Sequence, residues 1–214
     1  MRLFSRNLAA AFAGAVALVA LSAASDASTV NIFSTGVDDS GNALAVGSAD
    51  THYTSTGPTT VYSHPAYLPN DAVGTPGSAW LGGNSFPADA GYTVHFTLTE
   101  TFDAILTGSW AVDNQAFDIL INGNSTGISL LGIVVDNFNQ LHTFTTTAAQ
   151  SAFFLVGDNI LTFRVHDDGN PGAFRAAGLS VTTTPIPGAL LLFGSALGGM
   201  GFLGFRKKKA EAAA

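Results

Sequence analysis

Three short stretches of this chain concentrate oxygen ligands. Asp38-Asp39-Ser40-Gly41-Asn42 offers side-chain oxygens at positions 38, 40 and 42, the alternation by which a loop presents donors to a hard cation. Ala43 stands where an EF-hand needs its glycine, and Ala49 where it needs its bidentate glutamate, so that motif is excluded. A structural Ca²⁺ site of another kind at Asp38 and Asp39, or at Asp167 and Asp168, is the metal-binding expectation. Asp113-Asn114 directly follows a strand-like stretch. These two side chains can hydrogen-bond a sugar or help to hold Ca²⁺. Asp and Asn also fix their own turns, and that reading is the favoured one here.

Aromatic residues supply the other route to ligand binding. Trp80, Tyr53, Tyr62 and Tyr67 lie in a segment rich in Pro, Gly and Ser. An exposed ring can stack on the apolar C–H face of a sugar, and Trp80 is the leading candidate. Large aromatics more often cover a core, so that alternative stays open. Trp110 shares a strand face with Leu106 and Val112 and is expected in the core.

Catalytic patterns are sparse. His52, His64, His95, His142 and His166 form no H-x-x-x-H or H-E-x-x-H pair, which a zinc enzyme would use. No G-x-S-x-G elbow, Walker loop or dinucleotide fingerprint occurs. Glu100 and Asp103 are two carboxylates near a strand end, the weak shadow of a glycosidase pair. The chain has no cysteine, which excludes disulfides, thiolate catalysis and Cys-based zinc sites. The expectation is a non-enzymatic protein without a cofactor, structural Ca²⁺ being the one alternative.

The elements that must position these residues are strands. The 214 residues are 47% hydrophobic and 11% charged, against about 25% charged in ordinary soluble domains. Between Ser28 and Pro187 there are thirteen Asp and Glu residues against Arg164 and Arg175, a net of −11. Such a body repels phosphates and excludes nucleic acid as a partner. Apolar and polar residues alternate in the segments 92–99, 104–112, 117–122 and 159–165, the period of strands with one face buried. Further strands are predicted over Val30–Ser34, Thr59–Ser63, Leu141–Thr146 and Ala176–Thr182. Asn122-Gly123 predicts a tight hairpin, because both residues accept positive φ. No helical period is visible between the termini, and long loops are expected from about Asp50 to Gly91. Many short strands with this punctuation predict an all-β jelly roll or β-sandwich.

Both termini carry membrane signals. Arg2 and Arg6 precede an apolar stretch from Leu8 to Leu21, and Ser25-Asp26-Ala27 supplies small residues at the −3 and −1 sites. That is a secretory signal peptide with cleavage after Ala27. It implies the secretion translocase and signal peptidase as partners. At the other end, Ile186 to Phe205 is twenty residues without a charge. At about 1.5 Å per residue, such a helix spans a bilayer core of roughly 30 Å. Arg206, Lys207, Lys208 and Lys209 follow and place the tail on the cytoplasmic side.

Pro185-Ile186-Pro187, then Gly188-Ala189-Leu190-Leu191-Leu192-Phe193-Gly194-Ser195, then the basic cluster, resembles the PEP-CTERM sorting signal of Gram-negative bacteria. Ile186 stands where that family's name-giving motif has Glu, so the match is to the Pro-aliphatic-Pro variant, with Gly188 in place of its Ala. The resemblance implies processing by an exosortase-like membrane protease at Pro185, Ile186, Pro187 and Gly188. It also implies export alongside exopolysaccharide systems. The body is similar to the N-terminal domain common in such proteins, a galactose-binding-like jelly roll. The L-x-N-G hairpin at 120–123 and the G-x-N-x-L-x-F-x-V strand entry at 157–165 carry that likeness.

The organisation read from the sequence is therefore a signal peptide (1–27), a β-sandwich (28–181), a linker and sorting motif (182–187), a transmembrane helix (188–205) and a basic tail (206–214). The expected product is an inner-membrane-anchored precursor with its body in the periplasm. It is then released to the cell surface or extracellular matrix, with exopolysaccharide as its associate. A carbohydrate-binding module held by a single span is the alternative.

Overall fold

The computed structural model describes residues 27–132 and 134–184. The signal segment up to residue 26, Pro185 to Gly188, the 188–205 helix and Arg206 to Lys209 lie outside the described residues. In chain order the elements are β1 (Ser28–Asn31), β2 (Tyr53–Ser55), β3 (Val61–Tyr62), β4 (Trp80–Gly83), β5 (Asp89–Leu98), β6 (Ile105–Asp113), β7 (Gln115–Ile121) and β8 (Asn124–Ser125). They continue with α1 (Val134–Asn139), β9 (His142–Thr145), a 3₁₀ turn (Ala148–Phe153), β10 (Gly157–His166) and β11 (Gly172–Thr183).

The strand period decides which side chains go inside. In β5, Tyr92, Val94, Phe96 and Leu98 are buried while His95 and Thr97 are exposed. In β10, Leu161, Phe163 and Val165 are buried while Asp158, Ile160 and Arg164 face outward. The inward faces close on each other as two antiparallel sheets. One runs β3-β4-β11-β6-β9, with β1 also paired to β11. The other runs β2-β5-β10-β7-β8. This is a β-sandwich, as the alternation predicts.

Aromatic side chains fill the space between the sheets. Phe163 lies 4.9 Å from Phe174 and 5.9 Å from Trp110, ring centre to ring centre, and Tyr92 lies 4.8 Å from Phe174. Burial of each such ring contributes about 1.5–3 kcal/mol. Trp110 sits in this core, where its strand neighbours place it.

The 122–123 hairpin forms with positive φ at both Asn122 (51°) and Gly123 (80°), and it joins β7 to β8 through the pair Ile121–Asn124. Two strands inside the expected loops, β2 and β4, and the six-residue α1 farther along carry little periodicity. Two or three turns of alternation are needed to see a period, and these are shorter. The sandwich also extends past its predicted end. Thr182 and Thr183, read as linker, belong to β11, where they pair with Thr29 and Ser28 of β1. The folded unit runs from Ser28 to Thr183.

A second, smaller apolar layer lies on the outer face of the β11-β6 sheet. Trp80, Ala111 and Ala173 pack there under Tyr67 and Phe138. Residues 64–78 cross this face and are fastened by Arg175. Its Nε donates to the Ser78 hydroxyl (2.9 Å), one terminal nitrogen to the Pro69 carbonyl (2.7 Å) and the other to the Asp71 carboxylate (2.9 Å). Arg175 is 1% exposed, and its desolvation lowers its pKa against the pull of Asp71. Among the described residues no helix is long and apolar enough to cross a membrane.

Candidate functional site

The sequence-predicted site residues fall into two groups, and neither assembles as expected. Trp80 is 0% exposed. Its backbone N–H donates to the Asn70 side chain (2.8 Å) and its indole N–H to the Leu68 carbonyl (2.7 Å). It offers no face to a sugar. Its position on the outer face of β4, beneath residues 64–78, makes it a lid on the sheet rather than a platform.

Asp113 and Asn114 are likewise used internally. Asp113 accepts from the Tyr67 hydroxyl (2.5 Å) and from the Asn114 amide (2.7 Å). Asn114 Oδ1 accepts from the Asp168 N–H (2.5 Å), and its carbonyl accepts from Asn137 (2.8 Å). These contacts tie the ends of β6 and β10 to α1, so the turn-fixing role replaces the ligand role. Burial raises the pKa of Asp113, opposed by the Tyr67 hydrogen bond. Tyr67 Oη is also 2.7 Å from the Pro171 carbonyl, so one phenolic proton faces two acceptors.

Within each aspartate pair the two side chains turn to different surroundings. Asp38 Oδ1 accepts from the N–H groups of Ser40 and Asn42, each at 2.9 Å, and the backbone bond from Asn42 is the largest influence lowering its pKa. It caps its own loop. Asp39 points away to His52. Asp167 is buried and Asp168 exposed, and Asp168 reaches His166. Burial raises the Asp167 pKa. Among the described residues no three His, Asp or Glu side chains converge as a metal-binding group.

What the fold does assemble is a pair of aromatic platforms. At the first, the imidazole of His52 lies between Asp39 (Nε2 to Oδ1, 3.1 Å) and Asp50 (Nδ1 to Oδ1, 3.4 Å, without a hydrogen bond). Phe33 stacks on it, with ring centres 3.7 Å apart and planes inclined by 22°. Asp50 is itself fixed, accepting from Gly36 N–H at 2.6 Å and His52 N–H at 2.8 Å. At the second, His166 lies between Asp89 (2.9 Å to Nδ1) and Asp168 (3.1 Å to Nε2). Phe117 stacks on it at 5.1 Å and 27°. The bond from Asp89 is the first cause of a raised His166 pKa, with Asp168 adding to it.

Each platform borders an open cleft. Phe33 is 38% exposed and lines a cleft of about 410 Å³ together with Asn31, Ser34, Asp39 and Ser40. Phe117 is 39% exposed and lines one of about 210 Å³ together with Thr56, Asp89, Gly91 and Arg164. In both, the phenyl ring and one clamping aspartate face the cleft, and the histidine does not line it. Sequence reasoning missed both phenylalanines. Phe117 sits in a stretch whose alternation puts it on one face with Ile119 and Ile121, which are buried. The pairing of β10 with β7 shifts register after Arg164, and Phe117 comes out on the solvent face.

No family model matches the chain, and no curated protein matches it. Among solved structures, it is similar to the CBM36-1 domain of a multidomain xylanase from the hindgut metagenome of Trinervitermes trinervoides. The identity is 14% and the TM-score 0.33, over 63% of this chain and 99% of that one. It is also similar to the Arthrobacter globiformis T6 isomalto-dextranase complexed with panose, at 13% identity and TM-score 0.33 over 75% of this chain. The chain spans about a third of that second structure, 33% of its length. At these scores the β-sandwich assignment rests on the strands and their register alone.

Proposed function

We propose that the chain is an exported, non-catalytic surface or extracellular-matrix protein. Its C-terminal segment serves as a sorting handle removed by an exosortase-like membrane protease, and its β-sandwich is the mature, exopolysaccharide-associated part. One observation carries this reading. The folded unit begins at Ser28 and ends at Thr183, and those two residues are partners in the β1–β11 ladder. Both expected cuts, after Ala27 and within Pro185–Gly188, therefore lie just outside the sheet. Trimming both termini leaves every ladder hydrogen bond in place.

Intact mass of the protein from cell-surface and culture fractions, with and without the host's exosortase, tests this. Loss of both termini only when the enzyme is present is the expected result. Retention of the Arg206–Lys209 cluster in both strains overturns it. The second reading, a carbohydrate-binding module, is favoured by the two exposed phenylalanines beside clefts of mixed polar and apolar lining. It is compatible with the first, since a matrix protein has to hold its matrix.

A further inference from the structure

We propose that Phe33 and Phe117 are two separate stacking platforms for neutral polysaccharide, so that one sandwich holds glycan at two points. This deepens the exopolysaccharide reading above and rests on it. The two sites repeat one arrangement with no residue in common. In each, a half-exposed phenyl ring is backed by an imidazole; Asp89 and Asp168 both hydrogen-bond the one at His166, whereas Asp39 alone hydrogen-bonds the one at His52, with Asp50 close by. A surface phenylalanine normally loses rotamer freedom when a ligand arrives. Here the ring already stacks on an imidazole and lines a cleft.

The cleft chemistry selects the ligand. A pyranose presents an apolar C–H face for the ring and hydroxyls around its edge. Asp39 and Asp89 each bind their histidine through Oδ1, which leaves Oδ2 to accept from a sugar hydroxyl. Asn31, Ser34 and Ser40 at one site, and Thr56 and Arg164 at the other, supply further donors. Gly91 has no side chain, and this opens the floor of the second cleft beside Phe117. The acidic body repels an anionic glycan, which points to neutral chains. Two sites on one chain bind a polymer with an effective concentration that neither has alone.

Full-length chain purified in mild detergent would be titrated calorimetrically with oligosaccharides and polymers of xylan, dextran, a mixed-linkage β-glucan and the host's own exopolysaccharide. The expectation is two sites per chain for at least one of these. F33A and F117A each remove one site, lower apparent affinity for the polymer by about a hundredfold, and lower the melting temperature by only about 2–4 °C. F33W keeps binding, and G91L blocks the second site alone by filling its cleft. Failure to bind any of the four glycans overturns the proposal, as do single variants that bind like wild type. Normal trimming of both termini alongside absent glycan binding sinks the platforms and leaves the sorting reading intact.

Discussion

The side-chain amide of Asn122 donates to the side-chain carbonyl of Asn159 over 2.8 Å, and this bond joins two motifs that lie far apart in the sequence. Asn122 opens the β7–β8 hairpin, and its own Oδ1 accepts from the Ile160 N–H at 2.8 Å. Asn159 is 0% exposed and is the third residue of β10. Its Oδ1 also accepts from Leu155 N–H, and its amide donates to the carbonyls of Leu155 and Gly157. Asn122 is legible as a hairpin residue and Asn159 as part of a strand entry. Their partnership is not, because nothing in a linear sequence says that the two meet.

Replacing Asn159 therefore strands several buried groups at once. N159A is expected to cost about 2–4 kcal/mol, measured by urea unfolding. N159D keeps the shape but turns a donor into an acceptor facing two carbonyls. Its carboxyl is expected to bind a proton more tightly in the folded state than in the unfolded one. The variant should then gain stability, relative to wild type, as pH falls toward 4. A wild-type-like pH profile for N159D would count against this account.

His166 makes the platform beneath Phe117 sensitive to pH. Its folded pKa is raised above 6.5, first by Asp89 and then by Asp168. The sign follows directly. The stabilisation is fully present below the unfolded pKa and is lost as pH rises through the folded one. An NMR titration of the imidazole should give a midpoint above 6.5, and D89N should lower it. Equal midpoints in the two proteins would remove Asp89 as the cause.

The outer layer can be tested through Trp80 and Arg175. W80A empties a fully buried site and is expected to cost about 3–5 kcal/mol. W80F keeps most of the volume and loses the bond to Leu68, with a cost of about 1–2 kcal/mol. D71N removes the charge partner of a buried guanidinium. Because Asp71 itself is 46% exposed, water shares in the pairing and the cost falls to about 1–3 kcal/mol. Thermal melts should place W80A lowest, with W80F and D71N both closer to wild type.

Two glycines separate backbone conformation from crowding. A Cβ at Gly36 (φ 66°) would lie 2.7 Å from the Ala79 Cβ, whereas one at Gly123 (φ 80°) meets nothing within 4 Å. G123A carries only the left-handed cost of about 1 kcal/mol. G36A adds the clash and should cost about 2–4 kcal/mol. Equal destabilisation in chemical denaturation would show that the contact at Gly36 relaxes.

Strands β5 and β10 were readable because each alternates along nearly its whole length. The site was not readable for a related reason. Phe33 and Phe117 lie in strand-like segments where an aromatic ring suggests the core. Their exposure is set by the irregular run after β1 and by the register shift at Arg164/Val165, neither of which has a sequence signature. Trp80 failed in the opposite direction. Its Pro- and Gly-rich surroundings suggested an open loop, but that loop folds back over the sheet through Arg175, a contact about a hundred residues away in sequence.

The pairing of Ser28 with Thr183 also determines how the sandwich yields to tension. β1 and β11 are antiparallel, so their outward ends leave the sheet side by side. A pull between those two ends loads the ladder one hydrogen bond at a time and opens it like a zipper. A protein held at both termini would peel off β1 under weak force. Held at one terminus only, it transmits no such load. If it is cut free at both ends and gripped instead through its surface clefts, drag from a moving polymer reaches the sheets through side chains, and the seam at Ser28 stays closed.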